Sequence, residues 1–351
     1  MTRSSKQRAT RTRLRLAGVA FALLALAIAG AFSSGVFSAR DPLVVYCAHD
    51  SIYSEQLLRT FQQRTGIPVA IRFDTEATKS LGLVNLLLRE RKYPRCDVFW
   101  NNQLLGTLDL QEEGLLLPYK GKGYERIPDR FKDPGGRWAG FAGRLRVYIV
   151  NTQRMSATPA SIQRATQEHA ARMAVAKPLY GTTRSHYTLL WHRWGREKLV
   201  SWHRALRQAG VLEVQGNAMV KNMVAAGKCD FGWTDTDDVF IALDNQQPVE
   251  MLPIRLETGE TICIPNTVAI IKGTRKLTAA QQLVDFLLSA ETELALARSK
   301  SRQIPLGEAN PEDLPEEVRQ LKSWADDACD LRSLGESRQA CLQWLKSEYL
   351  Q

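Results

Sequence analysis

Histidine is scarce, five in 351 residues, and no two of the six cysteines form a CxxC pair. Those two shortages exclude the usual zinc frameworks. A GxSxG elbow is missing, which removes the commonest mark of a serine hydrolase. No internal repeat occurs, so a solenoid or propeller is excluded as well. Charge is absent from one long stretch, residues 16–39, directly after a run rich in a single sign. Arg3, Lys6, Arg8, Arg11, Arg13 and Arg15 stand there without an acid, and removing them reduces the formal net charge from +10 to +4. The remainder is too weakly basic for a dedicated nucleic-acid surface.

A basic start, the apolar "LAGVAFALLALAIAGAFSSGVFSA" and the small residues at 29–31 have the layout of an export signal. This predicts a mature chain that begins between about residues 32 and 41. A retained helix is the alternative, because 24 uncharged residues can span a bilayer. Either way residues 40–351 are expected outside the cytoplasm, in the periplasm, and tethered to the inner membrane if the helix is retained. No cysteine follows the apolar run, so nothing suggests a lipid-anchored one.

What is present is alternation. "LVVYCA" (43–48), "IPVAIRF" (67–73) and "CDVFW" (96–100) are short β-rich runs. Between and after them, "SEQLLRTFQQRTG", "SLGLVNLLLRERK" and "QLLGTLDLQEEG" carry apolar residues at helical spacing. Strand–helix–strand repetition predicts a mostly parallel sheet flanked by helices, with ligands at the strands' carboxyl edge. A second such region starts at "MAVAKP" (173–178). Two long apolar runs, "GRLRVYIVNT" (143–152) and "TICIPNTVAIIKG" (261–273), bracket it. The expectation is an α/β clamshell of two lobes joined by two crossover strands. Residues 1–40 are the signal or anchor, 41–146 the first part of lobe 1 and 147–263 lobe 2. Residues 264–310 return to lobe 1, and 311–351 form a C-terminal helical segment. Cys329 and Cys341 lie twelve apart there, and in an oxidising compartment a disulfide between them is expected. The other four cysteines read as buried small hydrophobes.

Several segments in order, among them "VVYCAHD", "TGIPVAIRFDTEATKS", "CDVFWNNQ", "AKPLYGTT" and "AAGKCDFGWTDTDD", resemble the family-1 solute-binding proteins of ABC importers. The subgroup is that of the ferric-iron-binding proteins, and the likeness runs over roughly residues 42–306. It implies a type II periplasmic binding fold, an ABC permease and ATPase as partners, and a monomer. The expected cargo is Fe(3+) with a synergistic anion, bound as transported ligand with no resident cofactor. In that subgroup a histidine, a glutamate and two adjacent tyrosines grip the metal. Here the matching positions are His49, Asn102, Asp237 and Asp238, so only the histidine is kept. Asn217 matches a further polar cleft position.

The residues themselves leave the ligand open. Asp235, Asp237 and Asp238 crowd "GWTDTDDVF" and repel one another unless a positive charge sits among them. Their alternative is a helix start, where Asp suits the dipole and caps amides. Thr75, Thr78, Lys79 and Ser80 stand where one helix begins, and Gly181, Thr182 and Thr183 where another does. Helix N-termini bind phosphate or carboxylate through free amides, and Arg144 offers a fork to the same anion. These residues suit a ligand of both signs: a metal ion with an anion, or a small zwitterionic or phosphorylated organic solute, or an organic cation. No enzyme is expected, because adjacent Asp237 and Asp238 cannot straddle a glycosidic bond. A sensory domain on the same fold is the remaining alternative.

Overall fold

The computed structural model describes residues 41–74 and 81–350. Residues 1–40, expected as signal or anchor, and the candidates Thr75, Thr78, Lys79 and Ser80 lie outside the described residues. Among those described, no helix is long and apolar enough to cross a membrane.

Strand and helix alternate as the periodicity dictates. The first half runs β1 (Leu43–Cys47), α1 (Ser51–Thr65), β2 (Val69–Phe73), α2 (Leu81–Arg89), β3 (Val98–Asn101), α3 (Leu105–Glu112), β4 (Leu116–Leu117) and β5 (Ala139–Asn151). Next come α4 (Pro159–Glu168), β6 (Met173–Ala176), α5 (Gly181–Trp194), α6 (Arg196–Gln208), β7 (Leu212–Val214), α7 (Asn217–Ala225), β8 (Phe231–Asp235) and α8 (Thr236–Asp244). The chain closes with β9 (Val249–Pro253), β10 (Cys263–Ile271), α9 (Leu277–Leu287), α10 (Ala290–Arg298), α11 (Glu316–Asp326) and α12 (Gly335–Tyr349). Helix α1 shows the local logic: Leu57, Leu58 and Phe61 bury one face. Gly66 at φ 67° then ends it, its amide bonding to Gln62 O at 2.9 Å.

The strands lie in the order β2-β1-β3-β10-β5-β8-β6-β7. Parallel pairs stand at both flanks, β1 with β2 and β3, and β6 with β7 and β8. The returning strands β5 and β10 enter the middle antiparallel. Strand β5 belongs to both halves: residues up to Leu145 pair with β10, and from Arg146 onward they pair with β8. Arg144 and Arg146, two apart and so on one face of the strand, stand at that change-over.

A bulge positions them. Gly143 faces Pro265 and Phe141 faces Asn266, which leaves Ala142 extra at φ 46°. Such an insertion bends the strand and re-aims the side chains beyond it. Glu293 of α10, fully buried, pins it by accepting from the amides of Ala142 and Leu306, both at 2.8 Å, while Arg126 balances its charge at 2.6 Å. Glu293→Ala is therefore expected to cost about 3–5 kcal/mol, the scale for breaking a buried pair, as read by urea denaturation.

The disulfide expectation is corrected. Cys329 and Cys341 are both free and buried. The amide of Cys329 donates to Thr261 O at 3.1 Å, whereas Cys341, on α12, lies against Thr188 of α5. Each thiol is packed into a different neighbour, and burial pushes both up to about 12.

Candidate functional site

The carboxyl ends of β1, β3, β6, β7 and β8 empty into one cleft of about 240 Å3, lined by His49, Asn102, Lys177, Gln215 and Asp237 just beyond them. This is the edge where open α/β sheets bind ligands. Four helices also start at it: α1, α5, α7 and α8. Among the described residues none of the four has a side-chain bond from its N-cap residue, although in α8 the amide of Asp238 donates to Asp237 Oδ1 at 3.2 Å. Only α8 carries acid in its first turn, Asp237 and Asp238. Unsatisfied first-turn amides carry partial positive charge, so the walls of the cleft favour an anion.

Arg146 was missed from sequence, where it read as one more residue of an apolar strand. Its side chain is 0% exposed. Its Nη1 donates to Asp235 Oδ1 at 2.6 Å and to Asn217 Oδ1 at 3.3 Å, and its Nη2 to Thr183 Oγ1 at 3.4 Å. Asp235 Oδ2 in turn accepts from Thr182 Oγ1 at 2.6 Å and from Asn217 Nδ2 at 3.0 Å. The hydroxyls of Thr182 and Thr183, expected to face a ligand, are thus tied into this internal network. What α5 offers the cleft is its backbone. Gly181, at φ 55°, turns the chain into that first turn.

Arg144 does line the cleft, but its fork is occupied. Nη2 donates to Asn102 O at 2.5 Å and Nη1 to Asn266 Oδ1 at 3.3 Å, while Nε lies 3.6 Å from Asp237 Oδ2. Asn266 passes the network on, giving its amide N–H to Gln303 Oε1 at 2.8 Å. Gln303 then donates to His49 Nε2 at 2.5 Å, and Nδ1 of the ring donates to Asp50 O at 3.3 Å. Both nitrogens of His49 are engaged inside the protein. Neither Gln303 nor Asn266 carried a sequence signal.

The aspartates of "TDTDD" divide their tasks. Asp235 holds Arg146. Asp238 Oδ2 accepts from Thr234 Oγ1 at 2.8 Å. Asp237 is 9% exposed, and burial drives its carboxyl well above the usual range, with Arg144 opposing and Asp238 and Asp235 reinforcing the rise. The three carboxylates offer oxygens within 4.8 Å of one another, a spacing a cation could bridge. His49 does not belong to that group. Tyr53, also lining the cleft, has its phenol pushed up by burial and by Asp237. Lys177, at the end of β6, makes no ion pair among the described residues.

This chain belongs to the bacterial extracellular solute-binding proteins, a family that it matches over residues 43–299. Its likeness within that class is to ferric-ion binders and to a sugar-phosphate binder. An Fe(3+)-binding periplasmic protein of Serratia marcescens is 26% identical over 214 residues, 60% of this chain and 62% of that one. Iron-bound HitA from Pseudomonas aeruginosa superposes with TM-score 0.74 at 19% identity, covering 87% of this chain and 99% of the other. AfuA from Actinobacillus pleuropneumoniae, with exogenous fructose-6-phosphate bound, superposes with TM-score 0.69 at 19% identity, covering 88% and 99%. The fold is the two-lobed type II periplasmic clamshell.

Proposed function

We propose that this protein is the extracytoplasmic binding component of an ABC importer, and that its solute is a small organic molecule bearing an acidic group. One observation carries the reading: four helices begin at the cleft and none of them has a side-chain bond from its N-cap residue. Those amides, with Lys177, receive a phosphate or carboxylate. Asp237 and Asp238 receive the solute's other end, an ammonium or hydroxyl donor. A cleft of about 240 Å3 lies just below the usual range of small-molecule pockets, about 300–1,000 Å3. The protein acts by binding and release, passing its solute to a permease driven by an ATPase. Fe(3+) with a synergistic anion is the second reading, favoured by the three clustered carboxylates and by the iron-binding relatives. Against it, Asp237 and Asp238 stand where that subgroup has its adjacent tyrosines, the cleft's own Tyr53 and Tyr180 are far apart in sequence, and two buried guanidinium groups already face those carboxylates.

Isothermal titration with inorganic phosphate tests the choice. Wild-type protein is expected to bind phosphate, and Lys177→Gln to weaken it about tenfold, the value of one charge-assisted bond, at unchanged melting temperature. Tight binding of ferric ion with none of phosphate alone rejects the organic-anion reading.

A further inference from the structure

We propose that the buried pair of Arg146 and Asp235 decides which sign of charge the α5 end of the cleft accepts, with Arg146 as a specificity-determining residue that never touches the solute. The inference rests on the anion reading of the cleft and deepens it. Asp235 is 5% exposed and stands in front of the first turn of α5, its Oδ2 2.6 Å from Thr182 Oγ1. A bare carboxylate there would claim the positive end of the helix for itself and repel any anion approaching the same amides. Arg146, at 2.6 Å, cancels that charge from behind, out of reach of solvent. It also bonds to Thr183 and Asn217, so the starts of α5 and α7 share one neutralising cation.

Asp235 is positioned to cap α8 yet makes no cap bond. Its carboxylate is taken up by Arg146, Thr182 and Asn217 instead. This removes Asp235 from the set of cleft carboxylates that meet a ligand and leaves Asp237 and Asp238 to do so. The alternative, that Arg146 merely holds the strands together, predicts a different response to charge removal.

The experiment is a charge cycle read by titration with inorganic phosphate at low ionic strength, with melting curves confirming that each variant folds. Arg146→Met uncovers Asp235 and is expected to weaken phosphate binding at least tenfold. Asp235→Asn uncovers Arg146 and is expected to tighten it about threefold or more. The double variant Arg146→Met/Asp235→Asn removes both charges and is expected to return to within about threefold of wild type. A double variant as weak as Arg146→Met, or an Asp235→Asn protein weaker than wild type, overturns the proposal while leaving the anion reading intact. Should Arg146→Met fail to fold, Arg146→Lys replaces it. Phosphate binding within about threefold of wild type then supports the role of charge, and a tenfold loss assigns the role to geometry and overturns it. Should wild-type protein bind ferric ion and not phosphate, the anion reading itself falls. Arg146→Met still separates the accounts: freeing the charge of Asp235 strengthens ferric binding if the pair sets the sign, and weakens it if Arg146 is only structural.

Discussion

Arg144→Met is expected to weaken phosphate binding by about tenfold or more, because it leaves Asp237 unopposed beside the anion, and to destabilise the empty protein more at pH 8 than at pH 5. The guanidinium is 3% exposed and stands between Asp237 and the carbonyl of Asn102. It is the opposing influence on a carboxyl that burial already drives upward. Without it Asp237 climbs further. A carboxyl whose folded-state pKa lies above its unfolded value stabilises the fold at low pH and loses that contribution as pH rises through the folded value. At pH 5 the variant can keep a proton on Asp237 and lose little. At pH 8 it must either bury an unpaired charge, at about 3–5 kcal/mol, or hold a proton against the solvent. Melting curves at the two pH values read the difference, and equal losses at both would place the destabilisation in packing rather than charge.

Asp237→Asn/Asp238→Asn is expected to move the other way. Two mutually repelling carboxylates are neutralised, so the empty protein should melt at the same or a higher temperature at pH 8, with the gain fading toward pH 5. Inorganic phosphate, which has no positive end, should bind severalfold more tightly. A solute with an ammonium group, or ferric ion, should bind at least tenfold more weakly, because charge-assisted bonds are roughly twice as strong as neutral ones. Were the pair only a helix cap, the change to Asn would cost a few tenths of a kcal/mol and leave every affinity alone. Lower stability with unaltered binding would restore the cap.

The parallel flanks of the sheet were legible because each strand is a short apolar run followed by a helix whose buried face repeats every three to four residues. The antiparallel centre was not, since the pairing of β5 with β8, β9 and β10 joins residues about a hundred apart in sequence. All nine described ligand-site candidates line the cleft: His49, Asn102, Gly181, Thr182, Thr183, Asn217, Asp237 and Asp238 at strand ends and helix starts, and Arg144 from within β5. Their partners could not be foreseen. Arg146 looked like a strand residue because a buried charge is invisible to hydropathy until its counter-charge is known, and Asp235 supplies that from 89 positions away. Gln303 and Glu293 act at the cleft and at the bulge from the far end of the chain, and nothing local marks them.

Native mass spectrometry of the protein, purified without added ligand, tests the central claim most directly. The expected result is a noncovalent adduct whose mass is that of a small phosphorylated or carboxylated organic molecule, released on denaturation, in protein free of iron. An adduct equal to one iron ion, alone or with a small inorganic anion, would contradict it.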